Sequence, residues 1–248
     1  MEYKSAEILK CNAHLIVYPS SLPTDEIENL CVQIYGQLRA RNIMHPDPFS
    51  FRGIREYSPY DPIKAINFKA SAKAQELMVN LWEYTNSRQV ILLYNLQKYN
   101  AWHNEVLDEY TIKLVASLAE KLVLQNIPTR FITNGICVND TNNVTHVPEG
   151  VGALQLEHIL EVLALLDLEQ TDVAPFHSIL NETAMEHKQD PEYWLISTYH
   201  GPELEDAYKE LTAQGARTVW ILPRSVNIRL DEQDITLSPE VMEQVILV

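Results

Sequence analysis

Two hydrophobic spacings alternate along the chain. The first helical one follows Thr24, a capping residue, where DEIENLCVQIYGQL has acids in its first turn and apolar residues at Ile27, Leu30, Val32, Ile34 and Leu38. Before it, Leu15–Tyr18, closed by Pro19, reads as a short strand. Arg39–Pro48, with its two prolines, reads as loop, and Ser50–Tyr57 as extended chain. Pro62 suits the first turn of a helix to about Gln75, with Ile63, Ile66, Ala70 and Ala74 on one face. Leu77–Tyr84 reads as a strand or extended arm.

Beyond residue 88 the pattern becomes α/β. Gln89–Asn95 is a nearly continuous apolar run, as in a parallel strand covered on both faces. His103–Leu124 carries a stripe of Leu107, Tyr110, Leu114, Leu118 and Leu122. Thr129–Thr133 is the next strand, and Ile136–Val147 reads as a hairpin around Asp140–Asn143. Helices follow at Leu154–Leu166 and Pro175–His187, then a strand at Tyr193–Thr198. Pro202 opens a helix that Gly215 ends, Thr218–Leu222 is a strand, and Ser238-Pro239 starts a last helix carrying Val241, Val245 and Ile246. Such alternation predicts an α/β fold, a doubly wound and mostly parallel sheet with an N-terminal extension. The expected division is a segment over residues 1–85 and an α/β domain over 86–248.

Charge sharpens that division. Residues 1–88 hold 10 basic and 10 acidic side chains, so the whole net charge of −15 belongs to residues 89–248. An acidic chain is a poor general ligand for nucleic acid. No apolar run is long enough to span a bilayer, and the first ten residues lack the apolar centre of a signal peptide. Cys11, Cys31 and Cys137 are far apart and form no CxxC, which favours reduced thiols. With seven glycines and no GxGxxG after a strand, nothing resembles a phosphate loop, and Gly150-Val151-Gly152 reads as the start of a helix. HExxH and GxSxG are absent too, so neither a metal nor another cofactor is expected.

In an open parallel sheet, ligands meet the carboxyl ends of the strands where strand order reverses. Two stretches fall there: Asn95-Leu96-Gln97-Lys98-Tyr99 and Thr198-Tyr199-His200-Gly201. An enzyme acting there on a small ligand would draw on His200, Asn95 and Tyr99. A third stretch, residues 47–79, mixes Arg52, Arg55, Lys64, Lys69 and Lys73 with five aromatic residues. Such mixing can bind nucleic acid. Beside so acidic a region it reads instead as a structural belt, with Arg52 and Arg55 paired to carboxylates.

The same stretch, DPFSFRGIREYSPYDPIKAINFKASAKAQELMV, resembles the signature of the bacterial family called domain of unknown function 58. The resemblance rests on Arg55-Glu56-Tyr57, on Pro59-x-Asp61 and on the run from Ile66 and Asn67 through Lys69 and Ser71; Arg52 lies just upstream. Tyr60, Phe68 and Lys73 stand where Gly, Trp and Arg are usual. It implies a von Willebrand factor A-like domain from about Gln89 and a role in protein interaction, not catalysis. It also implies a full-length protein anchored in a bacterial membrane, its A-like domain on one face, the cytoplasmic one favoured, working with an AAA+ ATPase of the MoxR type. The present chain is then its soluble C-terminal part. Such domains often hold Mg²⁺ at an adhesion motif, whose first element aligns with Asn95, Gln97 and Tyr99, while Thr198 lies where a later Asp is expected. Neutral residues at those positions imply a degenerate motif without a bound ion, which leaves either a crevice for a partner or ordinary loop residues.

Overall fold

The computed structural model describes residues 15–42, 51–58, 66–82, 89–98, 104–138, 144–170, 172–186, 191–224 and 237–248. Its elements are α1 (Thr24–Asn42), β1 (Phe51–Glu56), α2 (Phe68–Ala74), β2 (Met78–Trp82), β3 (Val90–Asn95), α3 (Glu105–Leu124), β4 (Thr129–Thr133) and β5 (Thr145–Gly150). After these come α4 (Ala153–Leu165), α5 (Phe176–Glu186), β6 (Glu192–Ser197), α6 (Pro202–Ala213), β7 (Arg217–Leu222), α7 (Pro239–Met242) and β8 (Val245–Leu247).

Six strands form one sheet in the order β5-β4-β3-β6-β7-β8, and only β5 runs antiparallel to its neighbour. Because side chains alternate across a strand, each central strand feeds two cores. Val90, Leu92, Tyr94, Phe131, Trp194, Ile196, Val219 and Ile221 point to a layer made by α1, α3 and α4. Ile91, Leu93, Ile132, Tyr193, Leu195, Trp220 and Leu222 point to α5, α6 and α7. All six residues of β3 and of β6 are buried, which is why both read as apolar runs without alternation.

Helix α1 departs from the expected division at residue 85. Ile27, Leu30, Cys31, Ile34 and Leu38 lie in the same core as β6 and β7, and the Tyr35 ring meets Trp194 edge-on at 6.0 Å. Val32, counted in the apolar stripe, faces outward at 71% exposure. Tyr110 donates to Glu26 at 2.6 Å and Lys121 pairs with Glu28 at 3.2 Å, so α1 is held along α3. The α/β domain is therefore completed by a helix from the N-terminal third.

Local differences have local reasons. Among the described residues Leu15–Tyr18 joins no ladder, and it is exposed: apolar composition alone does not make a strand. Ile66 is not helical but bridges Val79; α2 starts only at Phe68, where Asn67 Oδ1 caps the Ala70 N–H at 2.9 Å. The turn of the hairpin expected at 136–147, Asp140–Asn143, lies outside the described residues; on either side of it Cys137 bridges Leu166, and β5 runs antiparallel along β4. Val245 and Ile246 sit in β8, the sheet edge, not in the last helix, which ends at Met242. The expected glycine stop is present, with Gly215 at φ 88° just past α6. Gly152, at φ 79°, starts α4.

The stretch bearing the family resemblance folds on itself. β1 and β2 form a two-stranded antiparallel pair, and α2 sits against β2. Ser71 Oγ donates to the Asn67 carbonyl at 2.8 Å and accepts the Met78 N–H at 2.9 Å, which ties α2 to β2. Among the described side chains of residues 51–82, none belongs to either core cluster. No helix among the described residues is long and apolar enough to cross a membrane.

Candidate functional site at the strand ends

β3 is the pivot of the sheet. The chain leaves it through α3 on one face to reach β4, and leaves its other neighbour, β6, through α6 on the opposite face. Strand order therefore reverses between β3 and β6, and their carboxyl ends flank the place where doubly wound sheets receive ligands. Asn95 and Ser197, the last residues of the two strands, are register partners there.

Asn95 is 2% exposed and fully engaged. Its Nδ2 donates to Ser197 Oγ at 2.9 Å, and its Oδ1 accepts from Asn134 Nδ2 at 3.0 Å and from the Gln97 N–H at 2.9 Å. Asn134, just past β4, also donates to the Ala174 carbonyl and accepts the Leu96 N–H at 2.8 Å. Ser197 Oγ donates to the Tyr199 carbonyl at 2.6 Å. One amide–hydroxyl chain thus ties the ends of β4, β3 and β6 together. Gln97 serves the same end: its Oε1 accepts the Phe176 N–H at 3.2 Å, satisfying an open donor at the start of α5.

Beside this chain lies a crevice lined by Tyr94, Asn95, Leu96, Lys98, Asp108, Thr111 and Thr198, with about 10 Å³ of room, which is about one water molecule. Pockets that enclose a small organic ligand run to roughly 300 Å³ or more. Lys98 Nζ donates to Asp108 Oδ2 at 2.8 Å and to the Leu168 carbonyl at 2.9 Å. Burial, then the Asp108 charge, pushes the Tyr94 phenol well above its ordinary value, so this hydroxyl keeps its proton and is no base at neutral pH.

Among the residues expected here, Asn95, Gln97 and Thr198 come together at the two strand ends, while Tyr99 lies outside the described residues. His200 stands beside them, its Nδ1 3.1 Å from the Thr198 carbonyl, an oxygen that can only accept. Among the described residues, the donor set does not fit a divalent ion. The Asn95 and Gln97 oxygens that would ligate it already accept N–H bonds, and Lys98 occupies the one carboxylate lining the crevice.

Asn134, Lys98 and Asp108 were not singled out from the sequence. Asp108 did leave a signal: it falls in line with Ile112, Val115 and Ala119, all buried, so a carboxylate interrupts an apolar stripe.

In the signature stretch, Asn67 and Ser71 are the capping and tying residues already described, and Glu56 closes β1 opposite Met78. Tyr57 is half-buried and its N–H reaches the Leu77 carbonyl at 2.8 Å; Lys69 is exposed. Arg55 is also exposed, and its Nη1 donates to the Glu56 carbonyl at 2.9 Å. The Arg52 side chain and Asp61 lie outside the described residues.

No family model, no curated protein and no solved structure matches the chain.

Proposed function

We propose that the chain is a protein-binding domain of von Willebrand A-like type, whose strand-end surface makes contacts and does no chemistry. The observation that carries this is the closed state of the switch point. Asn95, Asn134 and Gln97, which gather at these strand ends, have their side-chain oxygens spent on holding strands and α5 in place. Such a crest is rigid, and rigid surfaces bind partners without a large ordering cost. The sheet order, with its single antiparallel edge strand, is compatible with an A-like domain.

The signature in residues 47–79 supports the family of domain of unknown function 58, and through it a membrane-associated protein working with an AAA+ ATPase of the MoxR type. The experiment is capture of binding partners by the full chain from a bacterial lysate, with and without ATP and Mg²⁺. Enrichment of a MoxR-type ATPase that depends on nucleotide supports the reading, provided a variant with Thr198→Arg and His200→Glu at the crest loses it. Turnover of a small molecule by the purified chain, abolished by the same two substitutions, overturns it in favour of an enzyme.

A further inference from the structure

Two oxygens of the kinds that hard cations take meet at Lys98: the carboxylate of Asp108, which lines the crevice beside Asn95, and the backbone carbonyl of Leu168. Both point at one atom, Lys98 Nζ. Lys98 comes from the loop after β3, Asp108 from the first turn of α3, and Leu168 from the connection between α4 and α5, so three separate segments converge on the ammonium. The Lys98 and Asp108 side chains are only 14% and 12% exposed. A carboxylate so placed is costly to bury unless a positive charge accompanies it.

We propose that Lys98 is the resident cation of this crevice, an ammonium fixed where an A-like domain would otherwise hold a divalent ion, so that the strand-end surface works without metal. The proposal takes from the A-like reading only what the ammonium replaces. An ammonium offers three N–H donors and accepts nothing, so carboxylate and carbonyl oxygens are its natural partners as they are a metal's. It brings one charge against one carboxylate and leaves the pair neutral, whereas a divalent ion entering beside it would meet like charge. The room that remains is that of a water, not of a hydrated ion.

The test is thermal unfolding of the full chain with EDTA, Mg²⁺ or Mn²⁺ at millimolar concentration. Wild type is expected to ignore all three. Lys98→Gln, which strands the Asp108 charge, should unfold about 6–15 °C lower, and Mn²⁺ should return part of that loss. The double variant Lys98→Gln/Asp108→Asn, lacking the carboxylate, should ignore Mn²⁺. A Lys98→Gln chain that folds only with Mn²⁺ present supports the proposal equally. Loss of stability without recovery in Mn²⁺ describes an ordinary salt bridge and overturns it. So does a Lys98→Gln chain that folds under neither condition, or a wild type whose unfolding temperature climbs with either metal. None of these readouts needs a partner, so failure here and failure to capture an ATPase are separate results.

Discussion

Asn134 Nδ2 stands 3.0 Å from Asn95 Oδ1, joining the ends of two neighbouring strands through side chains alone, 39 residues apart in sequence. Backbone ladders hold β3 and β4 as far as Tyr94 and Thr133; past them this contact takes over and fixes how the two loops leave the sheet.

Replacing Asn134 by Leu removes the Leu96 N–H acceptor and leaves Asn95 Oδ1 with one donor, all in a buried setting. Each stranded group costs about 1–3 kcal/mol, so the substitution is expected to destabilise by about 2–4 kcal/mol. Asn95→Ala should cost a similar amount. The double variant should cost less than the two together, because both remove the same bond, with a coupling of at least about 0.5 kcal/mol. Urea unfolding of the four chains measures it; strict additivity would mean the two amides act separately.

Helix α1 supplies a second expectation. Ile34 is fully buried against the sheet while Val32 faces solvent. Ile34→Ala should lose about 2–5 kcal/mol through the cavity it leaves, and Val32→Asp no more than about 0.5 kcal/mol. A chain beginning at residue 86 would leave Trp194, Val219 and Ile221 without the helix that covers them, and should be recovered aggregated or partly unfolded. Circular dichroism and gel filtration of that fragment decide whether the domain stops short of α1.

What could be read in the sequence follows from how local the cause is. Strands β3, β4, β6 and β7 are legible because burial on both faces writes itself into consecutive residues, and Gly215 because only a positive φ ends α6 there. Leu15–Tyr18 has strand composition but joins no ladder among the described residues, and β8 is three residues whose fate depends on β7 beside it. The site divides the same way. Sheet topology points to Asn95 and Thr198, but whether an amide faces a partner or another amide depends on residues far off in sequence. Asn134-Gly135 looks like a strand stop, which it is, while the side chain's second task is invisible until β4 lies beside β3.

Glu205 ties α6 to the segment before α7. Burial alone would raise its pKa, but hydrogen bonds from Lys209 and from Ser238 outweigh that and hold it below the ordinary carboxyl value. A carboxyl with a depressed folded-state pKa contributes stability that is complete above its unfolded value of about 4.3 and is lost as pH falls through the folded value. Glu205→Gln should therefore be less stable than wild type at pH 7, with the gap closing below about pH 4. Urea midpoints at pH 7 and pH 3.5 test this; a gap that is the same at both would assign the loss to packing instead of charge.

At the opposite end of the sheet, Glu192 and Arg217 are register partners on β6 and β7 and form an ion pair with Glu192 only 1% exposed. Only one arm of the pair is satisfied: Glu192 Oε2 and Arg217 Nε have no hydrogen-bond partner. Desolvation of two charges against one good contact leaves little net gain, but losing one partner leaves a bare buried charge. Arg217→Met alone should destabilise by about 3–5 kcal/mol, and Glu192→Leu alone should cost less, since the arginine it frees is nearer the surface. Glu192→Leu/Arg217→Met, apolar on both strands, should return to within about 1 kcal/mol of wild type or exceed it. Guanidinium unfolding would settle the order of the four chains. A double variant as weak as Arg217→Met would mean that the pair contributes to the β6–β7 register through more than its charge.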